Sequence, residues 1–156
     1  MKIRLIAAGT RQSAWVDEGF TTYAKRMPRE SGFELVEVPI VKRGKSNNIP
    51  RVMEDEGKKM LGYVGSGSIV VTLDQNGQLF SSEDLGEQMQ RWMMSGQDVA
   101  LLIGGPDGLS PACHARGDLS WSLSRAVFPH GLVRVMVVEQ LYRAWTLVKG
   151  HPYHRA

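Results

Sequence analysis

The chain has 156 residues, 42% of them hydrophobic and 22% charged, with a net charge of +3. That is the size of one domain with its own core, and no apolar run nears the roughly 20 residues needed to cross a bilayer. A lone cysteine, Cys113, excludes an internal disulfide and fits a reducing cytoplasm.

In chain order, residues 3–8 read as a first strand, and the apolar stretch at the start is too short for a signal peptide. Ser13 stands where it can cap a helix running to about Lys25, with Trp15, Val16, Phe20 and Tyr23 on one side and Pro28 beyond its end. The alternation over 33–38 predicts a second strand, and a loop with Lys42, Arg43, Gly44 and Lys45 follows. Pro50 suits the first turn of a helix that runs to about Leu61. Residues 68–73 are a short β-branched run, a buried strand, ended by the turn residues Asp74, Gln75, Asn76 and Gly77. Ser81 or Ser82 caps a helix to about Met94, with Leu85, Met89 and Trp92 or Met93 inward, and Gly96 closes it before a strand at 99–103. Strands alternating with helices predict an α/β fold with a mainly parallel sheet flanked by helices. Ligands then sit at the carboxyl ends of the strands, where Leu73-Asp74 and Ile103-Gly104-Gly105 stand. Residues 132–148 exceed strand length and read as one helix with a wide apolar surface, for which a second subunit is the natural cover.

Gly104-Gly105-Pro106-Asp107-Gly108 directly follows a buried strand. It can be a cofactor cradle built from backbone N–H groups or a plain turn. The dinucleotide fingerprint is absent, and Gly44-Lys45-Ser46 lacks the upstream glycine of a phosphate loop, position 39 being proline. His114, His130, His151, His154 and Cys113 match no zinc spacing, Cys113 reads as a small helix residue, and Ser124 has no nucleophile elbow around it. From Arg125 to the end there are five basic residues against one acid, Glu139. The closing Tyr153-His154-Arg155, stiffened by Pro152, joins stacking, acid–base and anion-pairing groups of the kind that hold an unstacked RNA base. An exposed, frayed terminus is the plainer reading of the same residues.

Several motifs in order resemble the RlmH family of SPOUT-class methyltransferases: residues 101–109, Leu123-Ser124 through Phe128-Pro129-His130, Glu139-Gln140-Leu141-Tyr142-Arg143-Ala144, and the closing Tyr153-His154-Arg155. The likeness runs over essentially the whole chain, the Lys42-Arg43-Gly44-Lys45 cluster included. It implies a single SPOUT domain over 1–156 with a trefoil knot in about 98–156, a fold feature that physics alone would not propose. It implies a homodimer that binds S-adenosylmethionine through Leu73, Gly104, Gly105, Leu123, Ser124, Arg125, Ala126, Val127 and Phe128, with no metal. The implied reaction is methylation at N3 of a pseudouridine in helix 69 of 23S ribosomal RNA on the assembled ribosome, in the cytoplasm, with neither membrane nor DNA as partner. His154 is the candidate proton acceptor, Arg155 the candidate anion stabiliser and Tyr153 the stacking or positioning group. Arg4, Lys25, Arg26, Lys42, Arg43 and Lys45 are candidates for phosphate contacts. The competing expectation is a non-enzymatic RNA- or ribosome-binding α/β protein.

Overall fold

A computed structural model describes residues 1–42, 44 and 48–155, with backbone alone for His154. Strand β1 (Ile3–Ala8) leads to helix α1 (Ala14–Ala24), a 3-10 turn (Arg29–Ser31) and β2 (Glu34–Val38). Helix α2 (Ile49–Leu61), β3 (Ile69–Leu79), α3 (Ser82–Ser95) and β4 (Val99–Ile103) follow. The chain closes with α4 (Pro111–Arg116), β5 (Leu119–Ser122), the long α5 (His130–Lys149) and a 3-10 turn at Pro152–His154.

The five strands form one parallel sheet in the order β2-β1-β4-β3-β5. Period-two alternation divides their side chains between two cores. Ile3, Leu5, Val71, Leu101 and Ile103 meet Phe20, Leu85, Met89, Trp92, Val137 and Leu141 of α1, α3 and α5 on one face. Ile6, Ala8, Val70 and Leu102 meet Met60 of α2 and Cys113 of α4 on the other. Burial on both faces explains why residues 99–103 are apolar without interruption.

Local chemistry sets the helix ends. The Asn48 side chain accepts from the Arg51 N–H at 3.3 Å. Ser81 and Asp84 form a reciprocal capping box, each bond 3.0 Å, and Gly96 takes the left-handed conformation, φ 70, that ends α3. Ser13 occupies the cap position of α1 without making a side-chain cap bond.

Two expectations change. Trp15 is 57% exposed, whereas Val16 and Phe20 are buried. The buried stripe runs through 16, 20 and 23, and position 15 is rotated about 100° off it. Residues 74–77 do not end their strand, because β3 continues to Leu79 and Trp121 pairs with both Leu73 and Gln78. The four residues are therefore an outward irregularity within β3. Helix α5 packs against α1 and α3, while Val133, Val135, Met136, Trp145 and Val148 are only half-buried in the single chain. Among the described residues no helix is long and apolar enough to cross a membrane.

Candidate active site

The carboxyl ends of β3, β4 and β5 converge on one cleft of about 530 Å³. β4 empties into a tight turn in which the Gly108 N–H donates to the Gly105 carbonyl at 3.0 Å. Pro106 suits the second position of such a turn, and Gly108, at φ 84, takes a conformation other residues rarely adopt. Gly104 is required for a different reason. A Cβ there would stand 2.5 Å from the Gly108 carbonyl carbon and 2.6 Å from the Leu109 nitrogen, so the turn folds back onto it backbone to backbone.

The second bend, which follows β5, is pinned to the irregularity in β3. The Ser122 hydroxyl donates to the Gln75 carbonyl at 2.9 Å, and the Gln75 side-chain amide donates to the Arg125 carbonyl at 2.6 Å. Within the bend the Ala126 N–H donates to the Ser124 hydroxyl at 3.0 Å. Leu73, Gly104, Gly105, Leu123, Ser124, Ala126, Val127 and Phe128 all line the cleft. Arg125 does not, because its guanidinium turns back to donate to the Gln75 carbonyl. Asp74, expected beside Leu73 at a ligand-binding strand end, lines the cleft too, and sequence reasoning missed Gln75 and Trp121 as wall residues. No sequence signal marked them, because Gln75 reaches the wall only through the irregularity within β3 and Trp121 through its pairing across it.

His130, the first residue of α5, also lines the cleft. Burial, then the nearby Arg134 charge, hold its pKa below the ordinary 6.5, while a backbone hydrogen bond with Ala8 acts the other way. Arg134 is 1% exposed. It donates to the Glu37 carboxylate at 2.7 Å and to the Gly9 carbonyl at 2.6 Å, tying the ends of β1 and β2 to the first turn of α5. Nothing in the sequence marked this arginine as interior. It shares its helix with apolar neighbours and finds partners only once the strands are aligned.

The tail lies elsewhere. Tyr153 follows the far end of α5, and the 20-residue helix spans about 30 Å at a 1.5 Å rise per residue. Neither Tyr153 nor Arg155 lines the cleft. The tail is not frayed at Tyr153, whose hydroxyl donates to Glu139 at 3.0 Å. Its ring meets Tyr142 edge-on with centroids 4.7 Å apart. Burial first, and then the Glu139 bond, push the Tyr153 phenol up to about 12, so it keeps its proton at neutral pH. Arg155 is exposed, and the His154 side chain lies outside the described residues.

The other candidates have structural duties or other addresses. Cys113 is buried in α4. His151 accepts the Tyr153 N–H at 3.1 Å, and His114 stands 4.0 Å from Asp74 at the cleft wall. Among the described residues no group of three or more His, Cys, Asp or Glu side chains is arranged to hold a metal. Arg4 pairs with Glu34 and donates to the Tyr63 carbonyl at 2.7 Å, near the amino ends of the strands and away from the cleft. Lys25 and Lys42 are exposed, and Arg26 stacks over tyrosine rings. Arg43 and Lys45 lie outside the described residues.

A family model described as predicted SPOUT methyltransferase matches residues 1–154. Proteins called ribosomal RNA large subunit methyltransferase H from Thioalkalivibrio sulfidiphilus and Hahella chejuensis are each 52% identical to this chain over 155 residues, covering 99% of it and 99% of their own length. A protein so called from Marinomonas sp. is 49% identical over 155 residues, covering 99% of this chain and all (100%) of its own. A solved Neisseria gonorrhoeae protein, assigned in its description to a methylase family, superposes with a TM-score of 0.52 over 90% of this chain and 81% of its own. At 17% identity that likeness is one of fold.

Proposed function

Because the chain belongs to the SPOUT methyltransferase family, we propose that it transfers a methyl group from S-adenosylmethionine to N3 of a pseudouridine in helix 69 of 23S ribosomal RNA. The full-length likeness to large-subunit ribosomal RNA methyltransferases supports the substrate class. It also favours an enzyme over a passive RNA-binding protein.

The residues present suit the donor. A cleft of about 530 Å³ is in the size range of small-molecule sites, and at Gly104 a side chain would strike the turn that forms its wall. Leu73, Gly104, Gly105, Leu123, Ser124, Ala126, Val127 and Phe128 would hold it, largely through main-chain groups; Arg125 belongs to this set through its backbone, its side chain being turned away. When bound, S-adenosylmethionine supplies a methyl group on a sulfonium, activated without a metal. The chain's own part is alignment of the nucleophile, in which proximity supplies much of the rate. His154 takes the imide proton, and Arg155 stabilises the resulting anion or an adjacent phosphate. Tyr153 stays protonated and positions its two neighbours.

The observation that carries this reading is the separation of the two halves of the site. The cleft begins at the first residue of α5, and the tail is fastened about 30 Å away beyond its last. A complete site then takes the cleft of one copy and the tail of a second, which makes the working unit a homodimer. Residues 1–156 act as one domain, with a trefoil knot in about 98–156. In its favour, β5 lies on the far side of β3 from β4, and the chain reaches β5 through α4 on one face and leaves through α5 on the other. The enzyme works in the cytoplasm on the assembled ribosome.

Subunit mixing tests the reading. Gly104→Val and a truncation lacking residues 153–156 are each inactive on ribosomes alone. After unfolding and refolding together at equal amounts they recover about a quarter of wild-type methylation, because half the dimers are mixed and each mixed dimer has one intact site. No recovery, with dimers formed, overturns the shared site, and a truncation with full activity removes the tail from the chemistry. Absence of S-adenosylmethionine binding by the wild-type protein overturns the whole.

A further inference from the structure

The tail is fastened by more than its own residues, and none of the fasteners was a candidate for this task on sequence grounds. Glu139 is the one acid after Arg125. Its Oε1 accepts from the Tyr153 hydroxyl at 3.0 Å and from Arg143 at 2.6 and 3.1 Å, and its Oε2 accepts from the Gln140 amide at 2.7 Å. Both of its oxygens are thus engaged in a setting where its side chain is only 17% exposed. The Arg143 guanidinium, held charged chiefly by Glu139, lies 5.1 Å from the Tyr153 ring centre. Arg26, arriving from the end of α1, sits over three rings at once: Tyr23 at 5.4 Å, Tyr153 at 5.9 Å and Tyr142 at 6.0 Å.

Each contact is modest alone, whether a cation over a ring or a hydrogen bond to a charged group. Together they seize one side chain on its hydroxyl, an edge and its faces. The backbone is held as well. Pro152 fixes its own φ, the His151 N–H donates to the Thr146 carbonyl at 2.9 Å, and the Arg155 N–H donates to the Pro152 carbonyl at 3.0 Å. Such fastening has a purpose if the residues after Tyr153 must start from a fixed point.

We propose that Glu139 and Arg26 are positioning residues, forming with Arg143 and Tyr142 a clasp on Tyr153 that presets where His154 and Arg155 are presented. The clasp rests on the function proposed above, because its value is to the half-site the tail supplies. Ordering the tail before the RNA arrives removes the entropy cost of fixing it from the encounter. The cost falls on folding instead.

Two measurements test it on the full-length protein. Carboxypeptidase release of the C-terminal residues reads the clasp directly. Glu139→Gln and Arg26→Ala are expected to speed release at least tenfold with unchanged thermal midpoints, and Arg26→Lys, which keeps a cation over the rings, to restore most of the protection. On ribosomes, Glu139→Gln and Tyr153→Phe are expected to lower kcat at least tenfold while KM and calorimetric affinity for S-adenosylmethionine stay within twofold. Unaltered release rates overturn the clasp. So does a kcat loss that tracks a falling melting temperature or cofactor affinity, which marks a merely structural role. If the wild-type protein neither binds S-adenosylmethionine nor methylates ribosomes, the functional reading fails while the release experiment still decides the clasp.

Discussion

Replacing Gly104 with alanine tests the cleft at its tightest point. The new Cβ would lie 2.5 Å from the Gly108 carbonyl carbon, where ordinary contact begins at 3.4 Å, so the two backbones must part by close to an ångström. No flexible side chain is there to yield. Overpacking of this kind costs about 1–3 kcal/mol, and the structure leaves two places for that cost to appear. If the turn holds its place, the free protein loses stability, at about 2–4 °C of melting temperature per kcal/mol for a chain of this size. If the turn moves away, the clash is relieved but the cleft wall is displaced, and affinity for S-adenosylmethionine falls by about 5- to 150-fold. Calorimetric titration and a thermal melt on the same sample read both. Gly67→Ala is the control. Gly67 has φ 77 with open space around it, so alanine there costs about 1–2 kcal/mol of stability through backbone strain alone and leaves affinity intact. A Gly104→Ala protein with wild-type melting and wild-type affinity would refute the steric reasoning and the assignment of the cleft together.

Arg134→Met should lower stability by up to about 3 kcal/mol, less than a fully enclosed pair because the Glu37 side chain is 34% exposed and can take up water; a urea titration showing under 0.5 kcal/mol would contradict a tie between the sheet and α5. His130 has a folded pKa below 6.5, so the unfolded chain takes up this proton first. The stability it contributes is whole above about pH 6.5 and is lost as pH falls through the lower folded value. His130→Asn should therefore flatten the fall in melting temperature between pH 7 and 5, and parallel curves for the two proteins would count against it. Lys25→Ala combined with Lys42→Ala should weaken ribosome binding and reduce the log–log salt slope by about 1.5 units; an unchanged slope returns both to solvated surface.

Residues that act locally were legible in advance. The cap at Ser81 or Ser82, the closing Gly96 and the uninterrupted apolar run at 99–103 each announce an element from within a few residues, and the elements lie where those signals put them, with Asp84 completing the cap as a box. The cleft was half legible. Gly104 and Gly105 stand at a strand end, but their meeting with the bend after β5 depends on β3 lying between β4 and β5, a strand order that no local pattern encodes. Asp74 to Gly77 have the chemistry of a turn, and they do depart from the ladder, yet pairing with Trp121 resumes at Gln78 and extends the strand. Trp15 was misplaced because hydrophobicity was weighed above angle. Wide apolarity in α5 is met in part by α1 and α3, and half-buried side chains such as Val135, Met136 and Val148 remain compatible with the second copy read from the sequence. Glu139 escaped notice because its value lies in a contact fourteen residues along the chain, across a helix end.

Helix α5 has one end in the cleft wall and the other under the tail, which makes its length a fixed spacing between two halves of a proposed active site. Inserting a single residue would swing one end about 100° relative to the other and unseat either His130 or Glu139 from its neighbours. Adding two full turns would restore the facing but carry the tail about 10 Å too far. This helix can be altered in composition along its flanks, but its count of residues is held by both ends at once.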